Sequence, residues 1–287
     1  MPGVLERQGI KIMSNEVDVL DIPSVEADIC VECERFSDGK WVSTIAHVPN
    51  ELKLTIYVNK LELVTVLCTP TKLNNLVLGF LYGEGIISCI DDILWMRTCE
   101  EENVSDVRLI KPEFTMPAHR TLTPGCGGGA TFTSEGQKVE SDLVVTPMEV
   151  LALVKQLLEQ MELYKVSGGV HTSAIADHKN LLVVAEDIGR HNTLDKIQGE
   201  CLMRDLATKD KILLSTGRIS SEMLIKAAKM QTPVIVSRHS PTGGAVLLAL
   251  ELGITLVGHA RAGSLRVYTH PERLGRIRNY TAGKKSG

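Results

Sequence analysis

A chain of 287 residues, 44% hydrophobic and 23% charged, can bury a sizeable core without disulfide staples, and its length suits one large domain or two smaller ones. A formal charge of −4 argues against nonspecific nucleic-acid binding, and no run approaches the ~18 uninterrupted apolar residues of a membrane-spanning helix. Seven cysteines at irregular spacing fit reduced thiols better than a disulfide framework; with no basic-then-apolar leader, the expected compartment is the cytoplasm.

Residues 1–24 mix Gly, Ser, Pro and acidic side chains without sustained periodicity and are expected to form a flexible extension, with order beginning near Asp28. From there to Cys68, "ICVECERF", a turn at "SDGK", "WVSTIAHV", "ELKLTIYV" and "LELVTVLC" alternate with period two and predict an antiparallel meander. At "TPTKLNNLVLGFLYGEGII" the period becomes helical. Leu73, Leu76, Val77, Phe80 and Leu81 fall on one face, Gly83 and Gly85 end the run, and the helix is expected to cover the meander. "DVRLI" is a further short strand, and the glycine-rich "TLTPGCGGGATF" follows.

The second half has another rhythm. A helix over 147–163 precedes "VHTSAIA" and "NLLVVAEDI", two paired strands; helices then alternate with the apolar runs "KILLS", "PVIVS" and "ITLVGHA". The pattern predicts an α/β protein: a β-rich N-terminal domain over 25–140, carrying the covering helix and the Cys-bearing loop, a three-layer α/β/α domain over 141–275, and a basic tail over 276–287. From His259 onward five arginines and two lysines face a single Glu272, an anion-binding edge or simply a soluble tail.

In a parallel sheet, ligands gather beyond the carboxyl ends of the strands, where helix N-termini attract anions. Three such loops carry suitable chemistry: "STGRISSE" with Arg218, "SRHSPTGG" with Arg238, His239, Ser240 and Thr242, and "GHARAGSLR" with His259, Arg261, Gly263 and Ser264. Each alone fits a cap or turn. Three in series, each with an arginine, favour a polyanion such as a nucleotide, while the absence of G-x-x-x-x-G-K-[ST] argues against a hydrolytic P-loop. "GRHNTLDK" offers two readings: Asn192 capping a helix with an internal charge pair, or His191 or Asn192 lining the cleft.

Among the cysteines, Cys30 and Cys33 have dithiol spacing, but i and i+3 on a strand face opposite ways, so a shared metal is not expected. Cys68, Cys89, Cys99 and Cys201 lie in apolar or helical surroundings and are expected to be small core residues. Cys126 stands on the glycine-rich stretch, where a thiol is accessible. A spacer with an incidental thiol and a mobile nucleophilic arm both fit the residues.

Taken in order, "TPTKLNNLVLGFLYGEGII", "GGVHTSAI", "AEDIGRHNTLDKIQG", the run from "LLSTGRISSEM" to "ITLVGHAR", and "RVYTHPERL" resemble the FdhD family of formate dehydrogenase accessory proteins across roughly 50–275. The resemblance implies a sulfurtransferase that takes persulfide sulfur from a cysteine desulfurase and passes it to the molybdenum bis(molybdopterin guanine dinucleotide) cofactor for formate dehydrogenase. It also implies a cytidine deaminase-like C-terminal fold, without deamination: "HTS" at His171 lacks the acid of H-x-E and no P-C-x-x-C follows. Cys126 becomes the expected sulfur-carrying residue. Where the family commonly carries Cys-x-x-Cys, Gly129 replaces the second cysteine. The cofactor, a bound substrate, is expected to contact His259, Ala260, Arg261, Ala262, Gly263 and Ser264, with Arg218 and Ser240 as candidates from the sheet-edge argument, and no intrinsic metal. A homodimer is expected. The other readings are a cofactor-escorting chaperone that transfers no sulfur and a metal-dependent hydrolase.

Overall fold

The computed structural model describes residues 4–7, 10–13, 25–99, 101–113, 121–122, 130–131 and 137–276. Two short strands, β1 (Val4–Arg7) and β2 (Ile10–Met13), lie within the expected N-terminal extension and pair with each other. The ribbon β3 (Asp28–Ser37) and β4 (Lys40–Pro49) follows, then β5 (Leu52–Val58), β6 (Leu61–Cys68), helix α1 (Leu73–Gly83), β7 (Ile93–Cys99) and β8 (Val104–Leu109). The first large sheet has the order β1-β2-β7-β8-β5-β6 and mixes parallel with antiparallel pairs.

The single meander expected over Asp28–Cys68 is in fact two units. Among the described residues β3 and β4 pair only with each other, whereas β5 pairs with β6 on one side and with β8, in parallel, on the other. The reason lies in side-chain pattern and a proline. Leu52, Leu54, Ile56 and Val58 all point from β5 into a core, while most of β3 and β4 is exposed, and Pro49 has no N–H with which to extend pairing. Helix α1 therefore covers β5, β6, β7 and β8, packing the expected Leu73, Leu76, Val77, Phe80 and Leu81 against them together with Leu78. Cys68 is buried as expected; Cys99 is half-buried and Cys89 exposed, because it caps the short surface turn Ile90–Asp92 between α1 and β7.

Two-residue strands β9 (Thr121–Leu122) and β10 (Ala130–Thr131) pair antiparallel. Residues 123–129, which connect them and include Cys126, lie outside the described residues.

The C-terminal half runs α2 (Pro147–Glu159), α3 (Glu162–Ser167), β11 (His171–Ala176), β12 (Leu181–Asp187), α4 (Arg190–Met203), β13 (Ile212–Ser215), α5 (Ser221–Lys229), β14 (Val234–Ser237), α6 (Gly243–Leu252), β15 (Thr255–Arg261) and β16 (Ser264–Val267). Its sheet has the order β12-β11-β13-β14-β15-β16; β13, β14 and β15 are mutually parallel, and β11 and β16 run against their neighbours. Successive residues of the central strands enter opposite cores. Ile175, Leu213, Ile235 and Leu256 pack with α4, α5 and α6, while Ala174, Leu214, Val236 and Val257 pack with α2. The one helix expected over 147–163 is broken at Met161, whose backbone leaves the helical region. Glu186 supplies the alternative start, accepting from the N–H groups of Leu163 (2.7 Å) and Tyr164 (3.1 Å). Among the described residues no helix is long and apolar enough to cross a membrane.

The two sheets are joined through their helices, since α1 and α4 cross in close contact. A Cβ on Gly79 of α1 would lie 1.8 Å from the Asp195 carbonyl oxygen, and one on Gly199 of α4 would lie 1.9 Å from that of Asn75. Only glycine at both positions lets the backbones approach so far. Beside this crossing the Lys226 ammonium lies 2.5 and 2.6 Å from the Asp195 carboxylate, and the Lys72 ammonium lies 2.6 Å from Glu200.

Candidate functional site

The carboxyl ends of β13, β14 and β15 open into the three loops picked out by sequence, and hydrogen bonds knit those loops together. Each of the first two strands ends on a buried serine, Ser215 and Ser237, paired in register. The Gly217 N–H donates to Ser215 Oγ (3.1 Å) and the His239 N–H to Ser237 Oγ (2.9 Å), so each serine turns its own loop. Ser237 Oγ also donates across to the Gly217 carbonyl at 2.6 Å, and the Thr242 N–H donates to the Ile219 carbonyl at 3.0 Å. The third loop joins the second through Arg261 Nε, which donates to the Arg238 carbonyl (2.8 Å), and through Ser240 Oγ, 2.6 Å from His259 Nε2.

The β15–β16 connection makes a tight turn because Ala262 and Gly263 both take positive φ, 42° and 81°. Nothing lies within 4 Å of the Gly263 Cβ position, so this tip faces open space, and Ser264 Oγ closes the turn by donating to the Arg261 carbonyl. Ala260 is buried in the core beneath, whereas Arg218, Ser240, Arg261, Ala262, Gly263 and Ser264 are exposed. The sequence-predicted residues His259–Ser264 and Ser240 thus meet directly; Arg218 reaches the same edge from the first loop.

Positive charge concentrates here. His239 is held below the ordinary imidazole range by desolvation and then by Arg261, Arg238, His259 and Arg218 around it. His171, the first residue of β11, is depressed by burial, with Arg190 and His239 adding to the effect; its Nδ1 and Arg190 both flank Gly217. His191 is depressed by burial, against the opposing pull of Glu222, whose carboxylate lies 3.1 Å from Nε2. Arg238 Nε is buried without a hydrogen-bond partner among the described residues. The N-termini of α5 and α6 open on the same side, and no Cβ contact crowds Gly243 at the start of α6. Imidazoles held below their ordinary range, guanidiniums, two helix N-termini and a buried donor without a partner among the described residues are groups whose chemistry suits phosphate-type anions.

The "GRHNTLDK" stretch divides between site and scaffold. His191 stands at the edge, but Asn192 neither caps α4, whose cap is Gly189, nor lines a cleft: its amide donates to the Leu67 carbonyl (2.7 Å) and Asp187 Oδ1 (2.8 Å). Asp195 and Lys196 make no pair with each other. Lys196 Nζ, wholly buried, lies 2.6 Å from Asp187 Oδ2 and donates to the hydroxyls of Thr69 (2.8 Å) and Thr71 (3.0 Å), while Asp195 pairs with Lys226. Sequence reasoning missed His171, Arg190 and Asp187. The available signal was that the end of one strand and the start of an antiparallel neighbour share a sheet edge. Among the described residues no group of three or more His, Cys, Asp and Glu side chains is arranged to hold a metal ion.

Comparison with known proteins was made against this geometry. A family model described as the FdhD/NarQ family matches residues 49–275. The chain is 39% identical over 248 residues to the sulfur carrier protein FdhD of Staphylococcus aureus strain Newman, covering 84% of this chain and 94% of that one, and matches the protein of strain COL equally. A crystal structure from Desulfotalea psychrophila, provisionally described as a formate dehydrogenase accessory protein, superposes with a TM-score of 0.73 at 26% identity, covering 87% of this chain and 100% of that one.

Proposed function

The chain belongs to the FdhD/NarQ family, and from that premise we propose that it is a sulfur carrier that delivers sulfur to the molybdenum bis(molybdopterin guanine dinucleotide) cofactor needed by formate dehydrogenase. The name of the curated relatives supports the carrier role. The observation that carries the substrate assignment is the convergence of Arg218, Arg238 and Arg261 on one sheet edge, with Arg238 Nε buried and without a hydrogen-bond partner among the described residues. A guanine dinucleotide brings phosphates to such an edge, and each guanidinium forms charge-assisted bonds to their oxygens. In this reading His259 and Ser240 orient the ligand as a hydrogen-bonded pair, and Arg261 to Ser264, above the buried Ala260, offer a tight turn that the ligand approaches without steric obstruction. The order of β12, β11, β13, β14 and β15 supports the deaminase-like fold expected for this half.

Sulfur enters through Cys126, whose thiolate attacks the outer sulfur of a desulfurase persulfide. The desulfurase S–S bond breaks as the Cys126 S–S bond forms, and the desulfurase thiolate leaves. The terminal sulfur can then be surrendered without a resolving thiol, so Gly129 in place of a second cysteine is compatible with transfer. In this reading the protein works in the cytoplasm as a homodimer, with a cysteine desulfurase and the formate dehydrogenase catalytic subunit as partners.

The test has two arms. Incubation with a cysteine desulfurase and cysteine, followed by peptide mass mapping, puts one sulfur on Cys126 of the wild type, and Cys126→Ala loses that sulfur. Titration with GDP, a probe for the guanine end of the cofactor, gives a Kd that Arg261→Ala weakens by roughly 10- to 100-fold, the loss of one charge-assisted bond of about 1.5–3 kcal/mol. Nucleotide binding without sulfur on any cysteine of the chain would overturn the carrier role and leave the chaperone reading, which Gly129 favours.

A further inference from the structure

The ribbon β3–β4 carries a second thiol in an organised setting. Its register sets Cys30 directly opposite His47, and Asp28, two residues earlier, shares their face. Asp28 Oδ2 lies 2.6 Å from His47 Nδ1, and Cys30 Sγ lies 3.7 Å from each imidazole nitrogen. With Nδ1–H donated to the carboxylate, Nε2 is the ring nitrogen left as an acceptor, within 3.7 Å of the thiol. These are a nucleophile, a base and a group that orients the base.

Packing does not account for the trio. Cys30 and His47 are exposed, and exposed ion pairs contribute only about 0–1 kcal/mol to stability. Nor is exposure alone the distinguishing feature: Cys33, three residues on, is also exposed but faces the other side of the ribbon, opposite Thr44. The base of the ribbon is anchored to the body, since Pro49 Cγ lies 2.8 Å from the Cβ position of Gly169. Gly169 leads directly into His171 at the cationic edge, so the thiol stands on the strand pair next to the approach to that edge.

We propose that Cys30 is a second sulfane-sulfur acceptor, activated by His47 with Asp28 holding the imidazole, and that its substrate is a persulfide R–S–SH. The inference rests on the sulfur-transfer reading above. His47 Nε2 takes the thiol proton and the Cys30 thiolate attacks the outer sulfur. The donor S–S bond breaks as the Cys30 S–S bond forms, and the departing R–S⁻ recovers the proton from His47. Sulfane sulfur keeps its oxidation level, so no oxidant or reductant is consumed.

The experiment uses the full chain with Cys126→Ser and two sulfur sources, glutathione persulfide and a cysteine desulfurase with cysteine, followed by peptide mass mapping. Sulfur is expected on Cys30 from at least one source, and which one identifies the donor. Iodoacetamide is expected to label Cys30 faster than Cys33 by on the order of tenfold, the gain typical of a His-paired thiol. His47→Ala and Asp28→Asn should bring Cys30 down to the Cys33 rate while leaving Cys33 unchanged. Equal labelling of the two cysteines, or fast labelling of Cys30 with no sulfur from either source, overturns the proposal. The wild type separates the two readings: sulfur on Cys30 with none on Cys126 sustains this inference and removes Cys126 as carrier, and the converse pattern does the reverse.

Discussion

Lys196→Met removes a wholly buried ammonium that joins the two halves of the molecule. Nζ lies 2.6 Å from Asp187 Oδ2 and donates to Thr69 and Thr71, which stand between β6 and α1. Methionine is of similar length, so the loss is one of charge and hydrogen bonds rather than volume. Asp187 is left buried, still accepting from the Thr69 N–H (3.1 Å) and hydroxyl (3.0 Å), the Gly189 N–H (2.8 Å) and Asn192 Nδ2 (2.8 Å), but without its countercharge. Breaking a buried pair on one side costs about 3–5 kcal/mol, and the four surviving donors put the expectation near the lower end, about 3 kcal/mol. For a chain of this size that corresponds to a Tm lower by roughly 6–12 °C. Urea unfolding followed by circular dichroism measures it, and a double-mutant cycle with Asp187→Asn isolates the pair. The double variant should be more stable than the sum of the singles predicts by about 2 kcal/mol. A loss below about 1 kcal/mol for Lys196→Met, or strict additivity in the cycle, would show that the network does not bind the halves together.

Two further outcomes follow from the same geometry. Gly79→Ala and Gly199→Ala each force a methyl group against a carbonyl oxygen under 2 Å away, so each should cost about 3 kcal/mol or more, whereas Gly243→Ala, in open space at a helix start, should change stability by less than about 1 kcal/mol; equal thermal shifts in all three would refute the close crossing. His171, His191 and His239 are all depressed in the folded chain, so the unfolded chain takes up protons first: their contribution to stability is full above the ordinary value of 6.5 and is lost as pH falls below it. A bound anion opposes that depression, and sulfate, whose charge is constant over this range, should therefore raise Tm more at about pH 6 than at about pH 7.5, an increment that Arg261→Ala reduces; a larger increment at the higher pH would contradict the assignment of these imidazoles to the anion site.

What sequence could and could not reveal divides along a physical line. Period-two and period-3.6 patterns located β5, β6, α1 and the alternating C-terminal elements, because burial on one face or two imposes those spacings. They did not reveal that β3–β4 is a separate ribbon, because alternation within a strand does not name the strand's partner; the parallel pairing of β5 with β8 is decided by residues nearly fifty positions apart. The break at Met161 escaped for a similar reason, since the cap of α3 comes from Glu186 on β12. The three anion-edge loops were legible because strand, short Gly/Ser loop and helix follow one another in the chain. His171 was assigned no place there because β11 runs against its neighbours and brings its start to the edge, and Arg190 because β12, which ends there, lies beyond β11 in the sheet order. Cys68 and Cys201 sat where apolar surroundings indicated, and burial pushes both thiols up to about 12, which leaves them inert.

The position of Asp187 ties these threads into one argument about why the two halves belong together. It ends β12 at the anion edge, and its Oδ1 holds the Gly189 N–H at the start of α4, next to Arg190 and His191. Its Oδ2 holds Thr69, at the exit of β6, and Lys196. The segment that presents Arg190 to the cationic edge is therefore fixed by residues of the N-terminal half, through a network with no water-facing member between Thr69 and Lys196. Loosening the contact between α1 and α4 must then disturb the geometry of the cationic edge as well as stability, although neither helix supplies Arg218, Arg238 or Arg261. In such an arrangement the N-terminal half does more than carry Cys126: it sets the geometry of the cationic edge.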